Sequence, residues 1–153
     1  MPATAMPCQR RSSEPVAATF TGRCAGLASL NRLQEAIVDC NESLRLQPGE
    51  GGALNARGTA YLKLDRLDLA RADFDTALRT DPKNAFSLYG RGIAKGLKGD
   101  RSGADADIAA AKQISPDIAA DFERYGVSAV SARSGFNGII RAGSGHIRRV
   151  RDG

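Results

Sequence analysis

Residues 53–82 read ALNARGTAYLKLDRLDLARADFDTALRTDP, and this stretch decides the fold. Leu54, Gly58 and Tyr61 fall at helical spacing, as do Leu67, Ala70, Phe74, Ala77 and Leu78, with a break at Leu64-Asp65-Arg66. Two amphipathic helices this short gain stability only by folding against each other. Large side chains at Leu54, Tyr61 and Phe74 alternate with small ones at Gly58, Ala70 and Ala77, so the two backbones can approach closely. Asp65 is placed to cap the second helix, and Asp68 adds negative charge to its first turn.

The pattern repeats at a shift of 34 residues without a gap. Leu88, Gly92, Ala104, Ile108, Ala111 and Pro116 then fall on Leu54, Gly58, Ala70, Phe74, Ala77 and Pro82. In the other direction, Phe20, Cys24, Leu27, Ala36, Cys40, Ser43 and Pro48 occupy the equivalent sites, with size largely kept. A period of this length with this pattern resembles the tetratricopeptide repeat, a helix-turn-helix unit that stacks into a superhelix. The resemblance implies an all-α superhelix of about three hairpins and a carboxyl-terminal capping helix. The expected repeats are residues 17–50, 51–84 and 85–118, with a cap over 116–126. Residues 1–16 mix Pro, Ser and Arg without periodicity and are expected to be unstructured, and residues 127–153 are expected to form a flexible basic tail.

Three hairpins in 153 residues suit one domain with a single stacked core. There is no Trp and there are only five Phe and three Tyr, so Leu, Ile and Ala must supply that core. The first helix of the first repeat is the weakest expectation, because Gly22 and Gly26 each cost about 1 kcal/mol against Ala in a helix interior. In the third repeat, Gly90, Gly92, Gly96 and Gly99 crowd one helix and predict a looser element. Ser115-Pro116-Asp117 reads as a cap and a first-turn proline, opening a helix that Gly126 ends. The net charge of +5 comes from the ends: residues 1–30 hold three Arg and one Glu, and residues 133–153 hold five Arg and one Asp. The repeat body is close to neutral, which argues against a nucleic-acid surface on the folded part. The alternative reading is a nucleic-acid or acidic-surface binder acting through Arg141, Arg148, Arg149 and Arg151, with Phe136 alone as an aromatic platform.

Cys24 and Cys40 stand where Gly58 and Phe74 stand one repeat on, and are expected to be core thiols in a cytoplasmic protein, a periplasmic setting being compatible. No metal, cofactor or catalytic set is expected. The single His146 has no Cys, Asp or Glu at ligand spacing, and the glycines fit neither a dinucleotide nor a phosphate loop. A periodic charge pair stands out: Arg23, Arg57 and Arg91 recur in the first helices, and Asp39, Asp73 and Asp107 recur sixteen residues later. These pairs are expected to orient the stack.

The expected function is that of a protein-interaction scaffold with no enzymatic activity, holding an unidentified protein or peptide in a concave groove. Asn55, Thr59 and Lys63 on one first helix and Phe86, Tyr89 and Ile93 on the next are the expected partner-binding residues. Tetratricopeptide domains that hold the terminal carboxylate of chaperone tails do so with a clamp of two Lys, two Asn and one Arg. The matching positions here are Thr21, Ala25, Ala56, Phe86 and Gly90, so the resemblance implies no recognition of such tails.

Overall fold

Helices form where the period places them. The computed structural model describes residues 13–128. It contains α1 (Ser13–Ser29), α2 (Leu33–Leu46), α3 (Gly51–Lys63), α4 (Leu67–Thr80), α5 (Ala85–Leu97), α6 (Arg101–Ile114) and α7 (Ile118–Arg124), with no strand among the described residues. α1 pairs with α2, α3 with α4 and α5 with α6, and each hairpin packs on the next through α2 on α3 and α4 on α5. α1 also touches α3, and α3 touches α5, whereas the second helices make no comparable contact with one another. The first helices therefore line the inner side of the array.

α1 begins at Ser13, ahead of the boundary expected near residue 17. Pro15 lies in its first turn, where the missing N–H has no intrahelical acceptor to lose. Gly22 and Gly26 are exposed, and a Cβ at either would meet nothing within 4 Å, so α1 is complete despite them. Residues 1–12 and 129–153, including His146 and the tail arginines, lie outside the described residues.

Each hairpin turns on one left-handed residue: Asn31 (φ 63°), Asp65 (φ 58°) and Gly99 (φ 92°), the residue types that enter this region at least cost. The next amide then closes the helix end, Arg32 N–H to Leu27 O, Arg66 N–H to Tyr61 O and Asp100 N–H to Lys95 O, each at 2.9 Å. Asp65 thus terminates α3 instead of capping α4, whose start has no side-chain cap. Side-chain caps occur on Glu50, which accepts from the amides of Gly52 and Ala53, on Asn84, which accepts from Ser87, and on Asp100, which accepts from Gly103. Ser115 likewise closes α6, and Pro116 sits in the turn before α7.

Close approach between helices centres on Phe74, which is fully buried between α3 and α5. A Cβ at Gly58 would lie 2.9 Å from Phe74 Cζ, and one at Gly90 would lie closer still. Gly90, one of the glycines expected to loosen α5, is what admits this ring from that side. In the third hairpin Ile108 takes the same place, and a Cβ at Gly92 would lie 2.8 Å from its Cγ1 and 3.1 Å from the carbonyl oxygen of Ala104. In the first hairpin the equivalent pair is Cys24 and Cys40, both fully buried, which form a disulfide between α1 and α2 with Cα atoms 5.3 Å apart. This corrects the core-thiol expectation. The offset of sixteen residues that sets Gly58 against Phe74 also sets Cys24 against Cys40, within the separation a disulfide spans.

Gly58→Leu and Gly92→Leu should each lower stability by roughly 1–3 kcal/mol through overpacking, read as urea midpoints; unchanged midpoints in both would contradict the packing. Reduction should lower stability by about 2–4 kcal/mol, read the same way, as expected for a loop of this size. Of the three cysteines, one should alkylate in the denatured protein before reduction and all three after it.

Candidate functional site

The inner wall is held in register by three arginines, two of which reach in two directions. Arg23 donates twice to Asp39 at 2.8 Å, Arg57 twice to Asp73 at 2.8 and 2.7 Å, and Arg91 twice to Asp107 at 2.7 and 2.8 Å. The third nitrogen of Arg57 reaches back to Asn41 Oδ1 at 2.7 Å, and that of Arg91 to Asp75 Oδ1 at 3.0 Å. Each of these two side chains therefore ties its own hairpin to the preceding one. Burial would push Asp107 up, but bonds from Arg91 and from Lys95, whose Nζ is 2.8 Å away, outweigh it and hold the carboxyl below its usual range. Arg91 is correspondingly raised, its bond to Asp107 outweighing burial.

A second link recurs at the same period on the wall itself. Thr21 Oγ1 donates to Glu50 at 2.9 Å and lies 2.7 Å from Ser43 Oγ, joining α1, α2 and the cap of α3. One repeat later Asn55 stands at the Thr21 position and Asn84 at the Glu50 position. Asn55 Nδ2 lies 3.5 Å from Asn84 Oδ1, and Asn55 Oδ1 accepts from Ser87 Oγ at 2.6 Å. Asn55, expected to bond a partner, is thus a spacer between repeats, and only period-34 alignment of unlike residue types would have revealed it.

The other expected contact residues are also engaged inside the molecule. Thr59 is fully buried and donates to the Asn55 carbonyl at 2.8 Å. Ile93 is fully buried and Tyr89 is only 3% exposed. As surfaces a partner could touch, these three are closed in this arrangement. At Tyr89 the cover is α7: Phe122 stacks on Phe86 with ring centroids 4.2 Å apart and lies 5.0 Å from Tyr89, while Tyr125 meets Phe86 edge-on at 5.8 Å. Beyond Arg124 the chain turns at Gly126 (φ 72°), which lies beside Lys63, and Val127 is buried in the same core cluster as Leu62.

Asn55, Lys63 and Phe86 remain half-buried. Lys63 Nζ lies 3.4 Å from the carbonyl of Ala28 at the end of α1, and burial lowers its affinity for the proton. Neither Ala56 nor Gly90, both buried, nor Thr21, Ala25 or Phe86 offers a cation at the clamp positions. Among the described residues no three His, Cys, Asp or Glu side chains group as a metal site, and no helix is long and apolar enough to cross a membrane.

Residues 51–84 match the tetratricopeptide repeat family model. No curated protein matches the chain. A similar solved structure is the first TPR of Spaghetti (RPAP3) bound to the HSP90 peptide SRMEEVD, at 16% identity and a TM-score of 0.63 over 71% of this chain and 89% of that chain. At that identity the likeness is one of fold.

The Asp107 carboxyl, held low in the folded state, stabilises the array above the ordinary carboxylate pKa, about 4, and that contribution is lost as pH falls through the lower folded value. Asp107→Asn should therefore be less stable than the parent at pH 7, with the gap narrowing in urea melts as the pH drops below about 4. A gap that is constant with pH would contradict the pairing.

Proposed function

Because the chain is a tetratricopeptide-repeat protein, we propose that it is a protein-interaction module that holds a segment of a partner along its inner wall. The observation that carries this reading is Lys63. It is a half-buried cation on that wall with no carboxylate beside it among the described residues and only the Ala28 carbonyl, at 3.4 Å, to accept from it. An ammonium has three donors, so it retains capacity for carbonyls or a side-chain carboxylate of an incoming peptide. Asn55 on the same helix and Phe86 on α5 are also partly exposed, whereas Thr59, Tyr89 and Ile93 are buried. No catalytic role is assigned. The buried disulfide favours an oxidising compartment over the reducing cytosol.

The test places a photo-crosslinking residue at Ser29, exposed at the end of α1 at the position that Lys63 occupies in the next repeat, and at Ala72 on the exposed face of α4 as control. A discrete adduct from Ser29, absent from Ala72 and lost when Lys63→Ala is added, supports the reading. Equal adducts from both positions, or no dependence on Lys63, overturn it. The peptide SRMEEVD, which the solved relative holds, should not bind here through its terminus, since the clamp positions lack cations and amide donors. Micromolar calorimetric binding that disappears on amidating the peptide would contradict this.

A further inference from the structure

Among the described residues, one slot of the array is only half filled. Each second helix presents a face to the first helix of the following repeat: α4 gives Phe74 and Asp75 to Gly90 and Arg91 of α5. On α6 the same face carries Ile108 and Ala109, and α7 stands where the following first helix would begin. α7 has seven residues, against thirteen in α3 and in α5. Gly126 then turns the chain back toward Lys63 instead of continuing along α6. The unfilled half of the slot is a cleft of about 560 Å³ over Gly96, Ala104, Ile108 and Ala109, with Arg101, Asp105 and Lys112 on its lining.

Its charges differ from those of the filled slots. The positions of Arg101 and Lys112 are leucines in both earlier repeats, Leu33 and Leu44 in α2 and Leu67 and Leu78 in α4. Neither cation has an ion-pair or hydrogen-bond partner among the described residues. They lie eleven residues apart on α6, about 16 Å at the helical rise. We propose that this cleft docks an acidic amphipathic helix of a partner protein, whose small apolar stripe continues the stack beyond α7 and whose carboxylates, about three turns apart, meet Arg101 and Lys112. An apolar helix suited to the earlier slots would leave both cations without a counter-charge. A carboxylate at each end supplies charge-assisted bonds and sets register and direction.

The probe is a lactam-bridged helical peptide of about sixteen residues, long enough for four turns, with an Ala/Leu stripe and two Glu eleven residues apart; a second peptide carries Lys at those two positions. Binding to the full chain is followed by fluorescence anisotropy. The Glu peptide should bind at least tenfold tighter than the Lys peptide, and Arg101→Glu with Lys112→Glu should reverse the order. Ala109→Trp, at an exposed position inside the cleft, should abolish binding of the Glu peptide and serves as the deciding variant if the double charge reversal unfolds. Equal affinity for the two peptides, no binding of either, or unchanged binding to Ala109→Trp overturns the proposal. Sedimentation showing self-association that Ala109→Trp abolishes, without peptide binding, assigns the cleft to a second copy and overturns it as well.

Discussion

The spacing of sixteen residues between a first helix and the facing point of its second helix governs the whole array. It sets Gly58 under Phe74 and Gly92 under Ile108, so two backbones close to a distance that only a missing Cβ permits. The same spacing, one residue earlier on each helix, sets Arg57 on Asp73 and Arg91 on Asp107. Packing and charge therefore report on one geometric relation from opposite edges of the same contact. A change of crossing angle that relieved one would break the other, which is why the hairpins repeat so closely.

Chain entry and exit are governed by residues with narrower demands. A left-handed turn accepts Asn31, Asp65 or Gly99 with little strain, and a second helix follows immediately in each case. The polar links on the wall, Thr21 to Glu50 and Asn55 to Asn84, join successive first helices without requiring the same residues twice. Conserving the geometry while exchanging the chemistry leaves a wall whose polar groups are largely satisfied from within. The recognition proposed above then rests on groups with spare capacity, Lys63 among them, and on the face of α6 that the described residues leave partly uncovered.

The hairpins were legible in the sequence because size and polarity recur at 34 residues, and the Arg–Asp pairs because their offset is constant. The turn role of Asp65 was hidden by chemistry, since aspartate suits both a helix cap and a left-handed residue and only the backbone distinguishes them. The burial of part of the inner wall was hidden for a different reason. Helical spacing identifies which face Tyr89 and Ile93 share and that a short helix caps the last hairpin, but not that Phe122 of that helix packs on Phe86 and Tyr89 themselves. Phe122 and Tyr125 carried the signal as aromatics on a segment too short to stand alone.

An array in which each hairpin contacts mainly its neighbours opens most cheaply at its ends, because a terminal repeat loses only one interface. Here the two ends are unequal. The amino-terminal hairpin has a small core around Ala25, Ala56 and the two cysteines, yet the covalent bond between Cys24 and Cys40 keeps its helices from separating. Among the described residues, the carboxyl end is held by a seven-residue helix and the turn after it, through Ile118, Phe122 and Val127, with no covalent link. Fraying is thereby given a polarity: the array comes apart from α7 inward, and the hairpin with the smallest core remains paired the longest.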